Sequence, residues 1–123
     1  MLIKLLDKPL DLCYNSSIRK GVVFLKIWVD DVRPAPKGYF RCLSVNHTKR
    51  IIQEIENIKE PIELIDLDYD SGDYEKDGGP YIKLMDWLVE RGTLYPLAFH
   101  SQNCVGMEYM KRMYRRYWLG ESL

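Results

Sequence analysis

Three short polar clusters carry the side chains with chemical potential in this sequence. Asp30 and Asp31 follow an apolar run, with Arg33 just beyond them. Asp66, Asp68 and Asp70 alternate at the end of a second run, IELIDLDYD. His100, Ser101, Gln102 and Asn103 follow a third. Carboxylates gathered within a few ångströms repel, and a proton or a cation must relieve them. A hard divalent ion such as Mg²⁺ suits such a set, because it takes a few carboxylate oxygens and retains several waters. The metal set read in this way is Asp30, Asp31, Asp68 and Asp70. Asp66 lies one pleat deeper than Asp68, as a group behind the site or the partner of an Arg or Lys. Arg33 can grip a phosphate with two N–H bonds or pair with the neighbouring acids. Ser101 can donate to a phosphate oxygen, and Asn103 can cap a helix whose N-terminus attracts an anion. His100 titrates near neutrality, so it is either a general acid–base group or a histidine hydrogen-bonded at a strand end.

The remaining polar features read as ordinary surface. Asp73 and Asp77 fit a solvated loop, and His47 fits a surface position ahead of a helix. Lys111, Arg112, Arg115 and Arg116 among Tyr109, Tyr114, Tyr117 and Trp118 describe an amphipathic helix, although such interleaving can also bind single-stranded nucleic acid. No glycine-rich phosphate loop of the mononucleotide or dinucleotide type is present. Cys13, Cys42 and Cys104 are odd in number with no close pair, which gives neither a disulfide framework nor zinc spacing. Reduced, buried thiols in a cytoplasmic protein are the expectation.

The elements that must position these clusters alternate between strand and helix. Val22 to Asp30 is β-branched and aromatic, apolar on both faces apart from Lys26, as in a buried parallel strand. A loop with Pro34, Pro36 and Gly38 follows, then a short strand over Tyr39 to Val45. Asn46 or Thr48 can cap a helix over about residues 47 to 58, with Ile51, Ile52, Ile55 and Ile58 on one face. Ile62 to Asp70 is the third strand, and residues 71 to 80 form a glycine-rich loop. A helix over Tyr81 to Glu90 stops at Gly92, and Tyr95 to His100 is the fourth strand. Asn103 caps a last helix to about Trp118, with Met110, Met113 or Tyr114, and Tyr117 as its apolar stripe. This order predicts an α/β fold with a mainly parallel sheet flanked by helices. In such sheets ligands bind beyond the C-terminal strand ends, which is where all three polar clusters fall.

Length and composition set outer bounds. The chain of 123 residues suits one domain over residues 22–123, with residues 1–21 read as a strand or hairpin extension packed on the sheet edge. A hydrophobic content of 46% argues against disorder. A formal net charge of zero gives no global field toward nucleic acid or an anionic membrane. No apolar run is long enough to span a bilayer, and the N-terminal stretch does not read as a signal peptide.

Taken together, IWVDDVRPAP, IDLDYDSGD and FHSQN resemble the cyclic-phosphate processing receiver domain, a shortened relative of response-regulator receivers. The resemblance runs over about residues 23 to 118 and rests on Asp30, Asp31 and Arg33, on Leu67, Asp68, Asp70 and Gly72, and on His100, Ser101 and Asn103. It implies a flavodoxin-like, receiver-like sheet, an acidic pair at Asp30 and Asp31 for a divalent ion, and Asp68 at the phosphoacceptor position. It further implies work on cyclic phosphate ends in RNA repair or conflict systems, with a phosphate-containing small molecule or RNA end as partner, and a protein partner besides. On an enzymatic reading Asp68, or a water held by the ion, is the nucleophile and His100 the acid or base. The alternative is a non-catalytic phosphate-ligand sensor, or a protein-interaction module with a degenerate receiver site. Tyr69 stands where the family usually has His, Ser71 where it usually has Leu, and the sequence offers no lysine-bearing fifth strand.

Overall fold

Four short apolar strands run parallel and carry their polar residues to a common end. The computed structural model describes residues 25–122. Strands β1 (Leu25–Val29), β2 (Tyr39–Cys42), β3 (Ile62–Leu67) and β4 (Leu97–Phe99) form one sheet in the order β2-β1-β3-β4, with every pairing parallel. Helices α1 (Val45–Asn57), α2 (Ile82–Arg91) and α3 (Cys104–Tyr117) flank it, and a 3₁₀ turn spans Gly72–Lys76. This is the expected α/β receiver-like, flavodoxin-like architecture. The expected extension over residues 1–21 lies outside the described residues, as do Cys13 and the start of the first strand.

The core explains why these segments take these forms. Leu25, Ile27 and Val29 of β1 and Ile65 and Leu67 of β3 are essentially inaccessible to water. They meet Ile51, Ile52 and Ile55 from α1, Leu84, Met85 and Leu88 from α2, and Met110 from α3. Each fully buried side chain of this size contributes about 1.5–3 kcal/mol. In α1 these isoleucines recur at helical spacing, and polar residues fill the outer face.

Several boundaries moved, each for a local reason. β2 stops at Cys42 because Ser44 caps α1: its Oγ accepts the His47 N–H at 3.0 Å, so the helix starts two residues before an Asn46 cap and four before a Thr48 cap would start it. Val45 therefore belongs to the helix, and His47 lies within its first turn, half-buried rather than at the surface. The Ser44 hydroxyl donates to Asp77 Oδ2 at 2.6 Å, and the Asn46 side chain donates to Asp77 Oδ1 at 3.1 Å. Asp77 is thus a tie between the glycine-rich loop and α1, not a free loop acid. β3 ends at Leu67 and β4 spans Leu97–Phe99, so Asp68, Asp70 and His100 stand past the strands. In α3 the core-facing residues are Gly106, Met110, Met113, Tyr114 and Trp118, whereas Tyr117 is 44% exposed. Cys42 is buried as expected, but Cys104 is exposed at the start of α3.

Candidate functional site

Strand register assembles the site. Val29 of β1 is paired with Leu67 of β3, and Leu67 with Phe99 of β4. One residue further on, Asp30, Asp68 and His100 therefore stand in a row at the C-terminal edge. Backbone bonds hold that row: Asp30 N–H to Cys42 O at 3.1 Å, Asp68 N–H to Val29 O at 2.9 Å, and His100 N–H to Leu67 O at 2.9 Å.

Asp30 is the buried centre. Its Oδ1 accepts the backbone N–H groups of Val32 at 2.8 Å and Arg33 at 2.9 Å. Its Oδ2 lies 2.8 Å from His100 Nε2. Such donors are what a fully buried carboxylate needs to offset its lost hydration. Asp31 and Asp68 are half-buried beside it, and the three residues offer oxygens that all lie within 4.8 Å of one another. Burial raises the Asp31 carboxyl above its ordinary range; its own backbone N–H opposes this, and the charges of Asp30, Asp68 and Asp73 add to it. Asp68 Oδ1 accepts the Tyr69 N–H at 2.7 Å.

The surroundings fit a cation. Gly72, at φ +54°, has no side chain where a β-carbon would stand 2.1 Å from Asp31 Oδ2, so the loop closes directly over that carboxylate. Between Asp70 and Gly72, the buried Ser71 Oγ has no hydrogen-bond partner among the described residues. Three oxygen-donor carboxylates in one cluster are the donor chemistry of a hard divalent ion. This acidic cluster could hold a metal ion. Asp70 is exposed and lines the same cleft, outside the group of three.

That cleft, about 350 Å³ and open to solvent, joins the acids to Arg33, Ser101 and Asn103. The Arg33 guanidinium makes no ion pair or hydrogen bond with the described residues, so the expected alternative of a salt bridge to the adjacent acids is not formed. Ser101 Oγ accepts the Asn103 N–H at 3.1 Å, which leaves its hydroxyl proton to donate. Asn103 caps α3 as expected, its Oδ1 accepting the Gly106 N–H at 2.9 Å.

His100 is placed differently from a side chain reaching into the cleft. Both ring nitrogens meet carboxylates, Nδ1 with Asp66 Oδ1 at 2.7 Å and Nε2 with Asp30 Oδ2 at 2.8 Å, and the ring is not among the residues lining the cleft. One face stacks on Trp28, with centroids 3.7 Å apart and planes inclined by 7°. Burial pulls its pKa down, but the bonds and charges of Asp66 and Asp30 outweigh this and raise it above 6.5. Asp66 is therefore the histidine's partner, not that of an Arg or Lys. Trp28 was not legible as part of the site. Its register opposite Asp66 is the only signal, and that signal needs the sheet pairing.

Comparison with known proteins agrees with this geometry. No curated protein and no solved structure matches the chain. Residues 25–116 match the family described as the cyclic-phosphate processing receiver domain, a span that takes in every strand, the three carboxylates and His100. The chain belongs to the cyclic-phosphate processing receiver domain family.

Proposed function

We propose that this protein binds a divalent metal, Mg²⁺ in the cell, together with a phosphate ester, and that its ligands are cyclic phosphate ends. The observation that carries the reading is one cleft that a three-carboxylate cluster shares with Arg33, whose guanidinium has no partner among the described residues. An anion with its own cation satisfies both at once. Asp30, Asp31 and Asp68 hold the ion, with Asp70 at the rim. When bound, the ion offsets phosphate charge. Arg33 grips the phosphate through its planar fork, and the Ser101 hydroxyl and the side-chain amide of Asn103 donate to the remaining oxygens. Asp68 accepts one bond through Oδ1, and its Oδ2 has no donor among the described residues, which supports it as the nucleophile of an enzymatic form. A panel of 2′,3′-cyclic nucleotides tests turnover. Hydrolysis that requires Mg²⁺ and vanishes in Asp68→Asn supports the enzymatic form, and full activity in that variant removes Asp68 from the chemistry.

A second reading, binding without turnover, is favoured by one observation: both nitrogens of His100 are held by carboxylates. Mg²⁺-dependent thermal stabilisation by a cyclic nucleotide, without hydrolysis anywhere in the panel, would select this form.

A further inference from the structure

We infer that His100 is a positioning residue, which together with Asp66 and Trp28 orients the Asp30 carboxylate for the cation. The inference rests on the metal reading above.

An ionised carboxylate has about four lone-pair positions. In Asp30 the N–H groups of Val32 and Arg33 occupy both positions on Oδ1, and His100 Nε2 takes one on Oδ2. A single acceptor position remains, on Oδ2. The direction of that position is set by where the imidazole sits. The imidazole in turn is fixed on three sides. Asp66 holds Nδ1 at 2.7 Å, Trp28 covers one face at 3.7 Å, and the His100 N–H is bonded into β3 at Leu67 O. Trp28 does not float either. Its indole N–H donates to Arg33 O at 3.1 Å, so the same loop that supplies two donors to Asp30 also anchors the stacking surface.

The chain Asp66–His100–Asp30 thus crosses from β3 past the end of β4 to the end of β1. It draws its rigidity from the sheet. Partners that orient a metal-binding carboxylate in this way are worth about 10- to 100-fold in metal affinity.

The test is Mn²⁺ affinity, read by electron paramagnetic resonance on the folded protein well below its melting temperature. His100→Ala should bind about 10- to 100-fold more weakly. His100→Gln, whose amide can still donate to Asp30 Oδ2, should recover much of that loss, because the donor and not the ring matters. A purely structural role would lower both melting temperatures and leave both affinities alone. Wild-type affinity in His100→Ala overturns the inference. If His100→Ala does not fold, Asp66→Ala carries the test: it removes the acceptor that holds His100 Nδ1, so several-fold weaker binding is expected and unchanged binding overturns the inference. A wild-type protein that takes up no Mn²⁺ overturns the metal reading itself, and the positioning role with it. Wild-type uptake with equal uptake by the variants overturns the positioning role alone.

Discussion

The Tyr69 ring packs against the α-carbon of Gly106 so closely that a β-carbon there would stand 2.3 Å from Tyr69 Cγ. Tyr69 also donates its backbone N–H to Asp68 Oδ1 at 2.7 Å. The residue beside the candidate phosphoacceptor is therefore seated in α3, and the helix has a glycine where the aromatic ring needs room.

This contact sets the sign of a substitution. Gly106→Ala in an exposed helix would gain up to about 1 kcal/mol from helix propensity. Here the added carbon must displace a ring, which costs about 1–3 kcal/mol. Gly106→Ala should therefore destabilise the protein in urea unfolding, and in a Tyr69→Ala background the same change should become neutral or stabilising. Equal effects in both backgrounds would show that the two residues are not coupled.

Gly72 makes a second close approach, this time to the site. Alanine there must adopt a left-handed backbone at φ +54° and move the Asp31 carboxylate. Gly72→Ala should cost about 1–2 kcal/mol in stability and should also weaken divalent-ion uptake. A loss of stability with unchanged Mn²⁺ affinity would mean that Asp31 is not a ligand.

The two histidines should titrate on opposite sides of their ordinary value. Burial and the charge of Arg50 lower His47 below 6.5, and Asp77 only partly opposes them. In His100 the burial that would lower it is outweighed by the carboxylates of Asp66 and Asp30. Below 6.5 the unfolded chain takes up the His47 proton before the folded one does, so this contribution to stability is lost as pH falls through the folded pKa. Above 6.5 the folded chain keeps the His100 proton that the unfolded one has released, so that contribution is lost as pH rises through the folded pKa. Together they place a stability maximum near 6.5. Imidazole resonances followed by NMR between about pH 5 and 8 should resolve one titration below 6.5 and one above. His47→Gln should flatten only the acid limb and His100→Gln only the alkaline one.

Away from the site, Glu56 joins α1 to α2 and to the segment before β4. Its carboxylate accepts two bonds from Arg91, the closer at 2.6 Å, and one from the Tyr95 hydroxyl. The Arg91 guanidinium lies 4.3 Å over the Trp87 ring. Lysine cannot supply both the fork and the stack. Arg91→Lys should lower stability by about 1 kcal/mol and leave Mn²⁺ affinity unchanged, as a control for the site variants.

How much of this was legible follows from what pattern can encode. Apolar runs ending in Asp30, Asp68 and His100 mark strand ends, and parallel strands put their ends together, so the cleft could be read from order alone. Register cannot be read that way. Without the Val29, Leu67 and Phe99 alignment there is no reason to join His100 to Asp66, or to add Trp28, which reads as one more buried aromatic. The alternation that set Asp66 behind Asp68 was sound, but what Asp66 touches depends on β4. Asp77 looked like a loop acid because its partners, Ser44 and Asn46, lie more than 30 residues away. Cys104 looked buried by residue type, yet it sits exposed in the first turn of α3.

The most direct measurement is anomalous diffraction from crystals grown with Mn²⁺ and a non-hydrolysable 2′,3′-cyclic nucleotide analogue. The expected result is one anomalous peak bounded by Asp30, Asp31 and Asp68, with the phosphate between that peak and the Arg33 guanidinium. An analogue bound elsewhere, or no manganese between those three carboxylates at saturating concentration, would contradict it.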